Sequence, residues 1–139
     1  MREKLILRVA AKSLLPFFFL FALYVQFHGD FGPGGGFQAG VIFAAGIVLY
    51  GLIYGIEAAQ AVIPRIWVEI GVAVGVLIWG GTGIWTMQSG GRYLEYGKLD
   101  PEHFVHGQHL GIMFVELGVL CTVASGMTLI FYLFAGRGR

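Results

Sequence analysis

Glu116 and His109 are the two residues whose types and spacing could do chemistry in this chain. They stand seven positions apart, two turns of a helix, and so fall on nearly one helical face. An imidazole beside a carboxylate can hand on a proton or help hold a hydrated cation. Glu116 lies six residues beyond Leu110, where a long apolar run begins, so it sits about 9 Å inside that run at the rise of an α-helix. At that depth a carboxylate needs a partner, water or a proton. Two readings stand: Glu116 with His109 forms a proton or cation relay, or Glu116 is protonated and bonded to a neighbouring helix, locking assembly. Glu69 and Lys12 are the other relay candidates. Both lie near the edge of an apolar segment, where Lys12 can equally well snorkel towards the headgroups.

The segment from Arg92 to Gln108 carries Glu95, Asp100, Glu102, His103 and His106, and with His109 its histidines recur every three residues. A metal centre needs three or four converging ligands with supporting groups behind them. This run has the residue types without the flanking pattern of a zinc motif, so it reads as an exposed polar loop, and no metal or cofactor is expected. Its carboxylates could raise the local cation concentration at a pathway mouth. Cys121 stands alone in an apolar run and reads as a small packing residue.

The elements that must position these groups follow from composition. Of 139 residues, 57% are hydrophobic and 12% charged, with mean hydropathy +0.77, against roughly a quarter charged in a soluble domain. The bilayer is therefore the solvent. A net charge of +1 with no basic patch beyond short runs at the termini excludes a nucleic-acid binder. Four segments are long and apolar enough to span, at about 5–27, 37–56, 66–87 and 110–134. The fold class is all-α, a single domain over 1–139 with four transmembrane helices. Seven of the nine basic residues, Arg2, Lys4, Arg8, Lys12, Arg65, Arg137 and Arg139, fall on one side, with only Arg92 and Lys98 opposite. The positive-inside rule then makes both termini cytoplasmic. The first segment resembles a signal peptide but lacks a small-residue cleavage site, and reads as retained. Pro16 within it predicts a kink or a late start. Trp67, Trp85, Tyr93, Tyr96 and Tyr132 fall where interfacial belts form.

Glycines at four-residue spacing, Gly36 with Gly40, Gly51 with Gly55, Gly71 with Gly75 and Gly107 with Gly111, permit close helix approach, and so much small-residue surface points to partners. The densest glycine cluster lies between the first two spans, in His28-Gly29-Asp30-Phe31-Gly32-Pro33-Gly34-Gly35-Gly36-Phe37-Gln38-Ala39-Gly40. Hydrocarbon cannot satisfy its exposed backbone groups, so it must lie in protein, at the interface or in water. Pro33 stops any arriving helix, and Phe37 restarts an apolar segment at once, which describes a tight re-entry packed on a neighbouring subunit.

Those residues carry a resemblance. Pro33-Gly34-Gly35-Gly36-Phe37-Gln38-Ala39-Gly40, preceded by His28 and followed by Val41-Ile42, resembles the MnhB-like family, the B subunits of Mrp-type multisubunit cation/proton antiporters. Length, span number and the polar loop before the fourth span fit as well. Where that family commonly has an asparagine shortly after the histidine, this chain has Gly29-Asp30. The resemblance implies an accessory subunit of a complex that exchanges sodium for protons in the cell (inner or plasma) membrane, beside large subunits related to the proton-pumping subunits of respiratory complex I. The large subunits' catalytic lysines and glutamates have no counterpart here. MnhB-like subunits also serve membrane-bound hydrogenase and related respiratory complexes. A self-contained homo-oligomeric channel would need a continuous polar stripe, which the sparse ionisable groups do not provide, and a membrane enzyme would need a nucleophile, metal cluster or cofactor motif.

Overall fold

A computed structural model describes residues 5–29 and 32–137 of the chain. Asp30 of the glycine segment, its neighbour Phe31, and Arg2, Lys4 and Arg139 of the basic set lie outside the described residues. Long apolar runs that cannot leave backbone groups unpaired in lipid must coil, and they do: α1 spans Leu5–His28, α2 Gly36–Tyr54, α4 Arg65–Gln88 and α5 Phe104–Ala135. These four are long and apolar enough to cross a membrane. A short helix, α3, covers Ile56–Val62, and a single 3-10 turn covers Tyr96–Lys98.

The helices form a row in the order α1, α2, α5, α4, with α1 touching α5 only briefly. Backbone proximity sets that order. Where α4 crosses α5, a Cβ on Gly118 would lie 2.8 Å from the carbonyl oxygen of Gly75 and 2.9 Å from the amide nitrogen of Trp79. Gly40 of α2 faces Val123 of α5 at 2.8 Å in the same sense, and Gly46 of α2 faces Phe19 of α1 at 3.0 Å. The paired glycines expected to meet partner proteins are therefore filled from within: Gly36 by Glu116, Gly51 by Phe131, Gly71 by Ser125, and both Gly107 and Gly111 by Tyr96. What remains outward is bulk. Phe17, Leu20, Phe21, Trp67, Leu77 and Phe134 are all exposed.

Several boundaries differ from those read in the sequence. The second span stops at Tyr54 because Gly55 takes φ 98°, and the chain restarts as α3. That helix is held by burial of Ala59 beside Val68 and Tyr132. Tyr132, expected in an interfacial belt, is instead 2% exposed, and its hydroxyl donates to the carbonyl of Ile63 at 3.1 Å. Arg65 opens α4 directly after Pro64, which suits a helix start because its missing N–H would have had no partner there. Pro16 neither delays nor interrupts α1, which is helical from Leu5.

The largest difference is at α5. It begins at Phe104 rather than near Leu110, and its 32 residues extend about 48 Å, well beyond a hydrocarbon core of about 30 Å. The extra turns put His106, Gln108 and His109 on the helix itself rather than in the loop before it. Tyr96, tucked against Gly107 and Gly111, fastens that helix to the preceding loop. Thr86 anchors the same loop from α4: fully buried, it accepts from the N–H of Leu94 at 3.0 Å, and its hydroxyl lies 2.8 Å from the Gly83 carbonyl and 3.1 Å from that of Arg92.

Replacing Gly118 by valine forces two backbones apart and should lower stability by about 1–3 kcal/mol, whereas Gly126→Ala, with open space around it, should leave it unchanged. Thermal unfolding of both variants in detergent checks this.

Candidate functional site

The loop between α1 and α2 folds back over the end of α1 and supplies donors to that helix's terminal carbonyls. The N–H of Gly35 donates to Val25 at 3.1 Å and that of Gly32 to His28 at 3.0 Å, groups a helix end otherwise leaves open. His28 closes the end by stacking on Tyr24, ring centres 5.2 Å apart. Gly35 then caps α2 with φ 119°, a conformation that side chains disfavour.

Into this fold of glycines goes the side chain of Glu116. A Cβ on Gly29 or on Gly35 would each lie 2.9 Å from Glu116 Oε1, and one on Gly36 would run into the Glu116 backbone carbonyl. The carboxylate is thus seated at the first turn of α2, where the helix dipole presents positive partial charge. Within the chain these glycines receive α5, through Glu116. Pro33, Phe37 and Gln38 remain exposed around them, while Gly34 lies against the Val25 carbonyl.

A cavity of about 230 Å³ opens beside Glu116, lined among others by Gln26, His106, His109 and Met113. Gln26 is 2% exposed, and its Oε1 is buried without a hydrogen-bond partner. A buried amide oxygen left open costs about 1–3 kcal/mol, and here it stands on the wall of the cavity that Glu116 also lines. Composition alone could not single out Gln26. Its signal was a lone amide in an apolar run, two residues before His28.

The relay candidates divide between the two ends of the molecule. Glu116 and His109 share the cavity. Glu69 lies in the first turns of α4 at the other end, bonded to Arg65 Nε at 2.7 Å. Lys12 is exposed on α1, fourteen residues before Gln26, or about 21 Å along the helix. His106 is held by Asp100, Nδ1 to Oδ2 2.7 Å, and Asp100 Oδ1 accepts from the N–H groups of Glu102 and His103 at 3.2 Å. The His106 bond, then these amides, hold the Asp100 carboxyl below its ordinary value of 3.8. A carboxyl so lowered stabilises the start of α5 fully above that value, and the contribution fades as pH falls through the lowered one.

Comparison with known proteins decides the family. The domain related to the MnhB subunit of Na+/H+ antiporter matches residues 6–129. The chain belongs to the MnhB family. Similar relatives include chains carrying the name antiporter subunit mnhB2 in Staphylococcus aureus strains Newman, JH1 and COL. Each is 30% identical over 132 residues, covering 88% of this chain and 93% of the relative. The matched region takes in α2 and α4 whole, α1 but for its first residue, α5 as far as Leu129, the glycine loop and Glu116.

Two outcomes follow for this MnhB-family fold. Gly35→Val should cut the yield of folded protein, through strain at positive φ and collision with Glu116, by more than about 1 kcal/mol, while Gln38→Ala at the exposed neighbour should not. Gln26→Met should raise the melting temperature, by relief of about 1 kcal/mol. A fall of that size would show that the amide is bonded in the folded protein.

Proposed function

We propose that the chain is an accessory membrane subunit of a multisubunit sodium/proton antiporter, with both termini cytoplasmic and the glycine loop on the opposite face. Its partners are the complex's other subunits, large complex I-like chains among them, in the cell membrane. The family match across residues 6–129 is the observation that carries this reading. The open row of helices fits it, since α1 and α4 each leave most of their apolar surface for lipid or another subunit.

Within the complex, Glu116 with Gln26 and His109 forms the polar contact point of this subunit with the ion path. The carboxylate takes up a proton or a partly hydrated cation, the α2 terminus stabilises its charged form, and Gln26 offers an oxygen. His109, two turns nearer the end of α5, exchanges protons between the cavity and the surface. Lys12 and Glu69 lie too far off to join this relay and act at the basic end of the molecule.

Glu116→Gln keeps the shape and removes the charge. Expected is an intact complex, by co-purification, with sodium/proton exchange in everted vesicles reduced at least tenfold, on the order of 1.4 kcal/mol in the barrier. Unchanged exchange would make Glu116 a neutral structural hydrogen bond, and loss of co-purification would make it an assembly contact.

A further inference from the structure

At the opposite end of α1 from Glu116, an apolar groove of about 250 Å³ runs between α1, α2 and α3, lined by Leu15, Phe19, Ile47, Tyr50, Ala59 and Val62, with Ile63 at its end. Its lining is almost wholly hydrocarbon, so in a bilayer it gains nothing from water and takes an acyl chain. A cationic lip adjoins it. Arg8, Lys12, Leu15 and Phe19 follow one another at steps of four, three and four residues, which sets them along a single stripe of α1. The two residues that line the groove therefore continue, one and two turns further along, into two cations.

The connection is structural as well as sequential. The Arg8 guanidinium sits 5.3 Å above the ring of Tyr54, whose hydroxyl donates to the Arg8 carbonyl at 2.9 Å. The Tyr54 ring lies 4.7 Å from that of Tyr50, which lines the groove. Aromatic packing thus holds one cation at the groove's end rather than leaving it to wave in solvent. Arg8 and Lys12 form no ion pair with any carboxylate among the described residues. Two positive charges, one fixed, at the end of a hydrocarbon slot match one ligand chemistry: an acyl-bearing phosphodiester whose headgroup brings no cation of its own and so leaves a net negative charge.

We infer that this groove is a binding site for an anionic phospholipid, its chain against Leu15, Phe19 and Ile47 and its phosphate between Arg8 and Lys12. Arg8 offers the phosphate a planar fork of donors, and Lys12 adds a flexible point charge. The site uses none of the residues around Glu116 and stands whether or not that cavity handles ions.

The test is native mass spectrometry of the complex released from mild detergent, with added phosphatidylglycerol or phosphatidylcholine. Phosphatidylglycerol should be retained over phosphatidylcholine, and the double variant Arg8→Gln with Lys12→Gln should lose about tenfold of that retention while phosphatidylcholine is unaffected. Val62→Trp, at an exposed position on the groove wall, should also abolish retention by filling the slot with both cations in place. Glycerol phosphate at the same concentration should not compete, since it brings the charge without the chain. Equal retention of the two lipids, retention unchanged in the double variant, or a protein helix found lying in the groove of the assembled complex would each overturn the assignment.

Discussion

Everything at the glycine-rich end of this protein depends on the seating of one carboxyl side chain in a pocket that only glycine can leave open. Gly29, Gly35 and Gly36 each give up the space that a Cβ would take, and Glu116 occupies it. The same α2–α5 seam continues further down, with Gly40 on Val123 and Gly51 on Phe131. The Glu116 contact also fixes the end of α1, because the loop that makes room for Glu116 is the one whose amides bond to Val25 and His28. A carboxyl group within an apolar helix is costly unless the protein supplies its surroundings. Here they are supplied by a helix start, a glycine cradle and a buried amide.

The same economy explains the shape. Small residues are spent on contacts within the chain, so the four spanning helices hold together as a row rather than a closed bundle, and bulky side chains are left on the outside. In lipid such surfaces cost nothing and can be covered by another subunit without a desolvation penalty. A protein built this way is rigid in its seams and adhesive on its faces, which suits a component of a larger membrane assembly.

Much of this was legible in the sequence for physical reasons. Four apolar runs of spanning length can do little else than form helices, and the Pro33–Gly40 string is rare enough to carry a family. The face shared by His109 and Glu116 follows from helical periodicity, and the structure lines one cavity with both. What could not be read was which element fills which space. Glycine spacing tells that a backbone approaches, not whose, so the filling of Gly36 by Glu116 of the same chain was hidden. The early start of α5 was hidden by polar residues, since His106 and Gln108 look like loop until Tyr96 packs on Gly107 and Gly111. Tyr132 looked interfacial because an aromatic near a span's end usually is, and burial by Ala59 and Val68 overrode that habit. Gln26 gave the faintest signal, because one amide in an apolar run becomes meaningful only when its neighbours in space are known.

Glu116 is seated in its own chain's loop. Solid-state NMR of the isotopically labelled chain in bilayers reads it directly, through carbon–carbon correlations between the Glu116 carboxyl and the α-carbons of Gly29 and Gly35. Both correlations are expected, within the labelled chain and retained when that chain is assembled with unlabelled subunits. Their absence, with the loop glycines correlated instead to lipid or to another subunit, would contradict that seating.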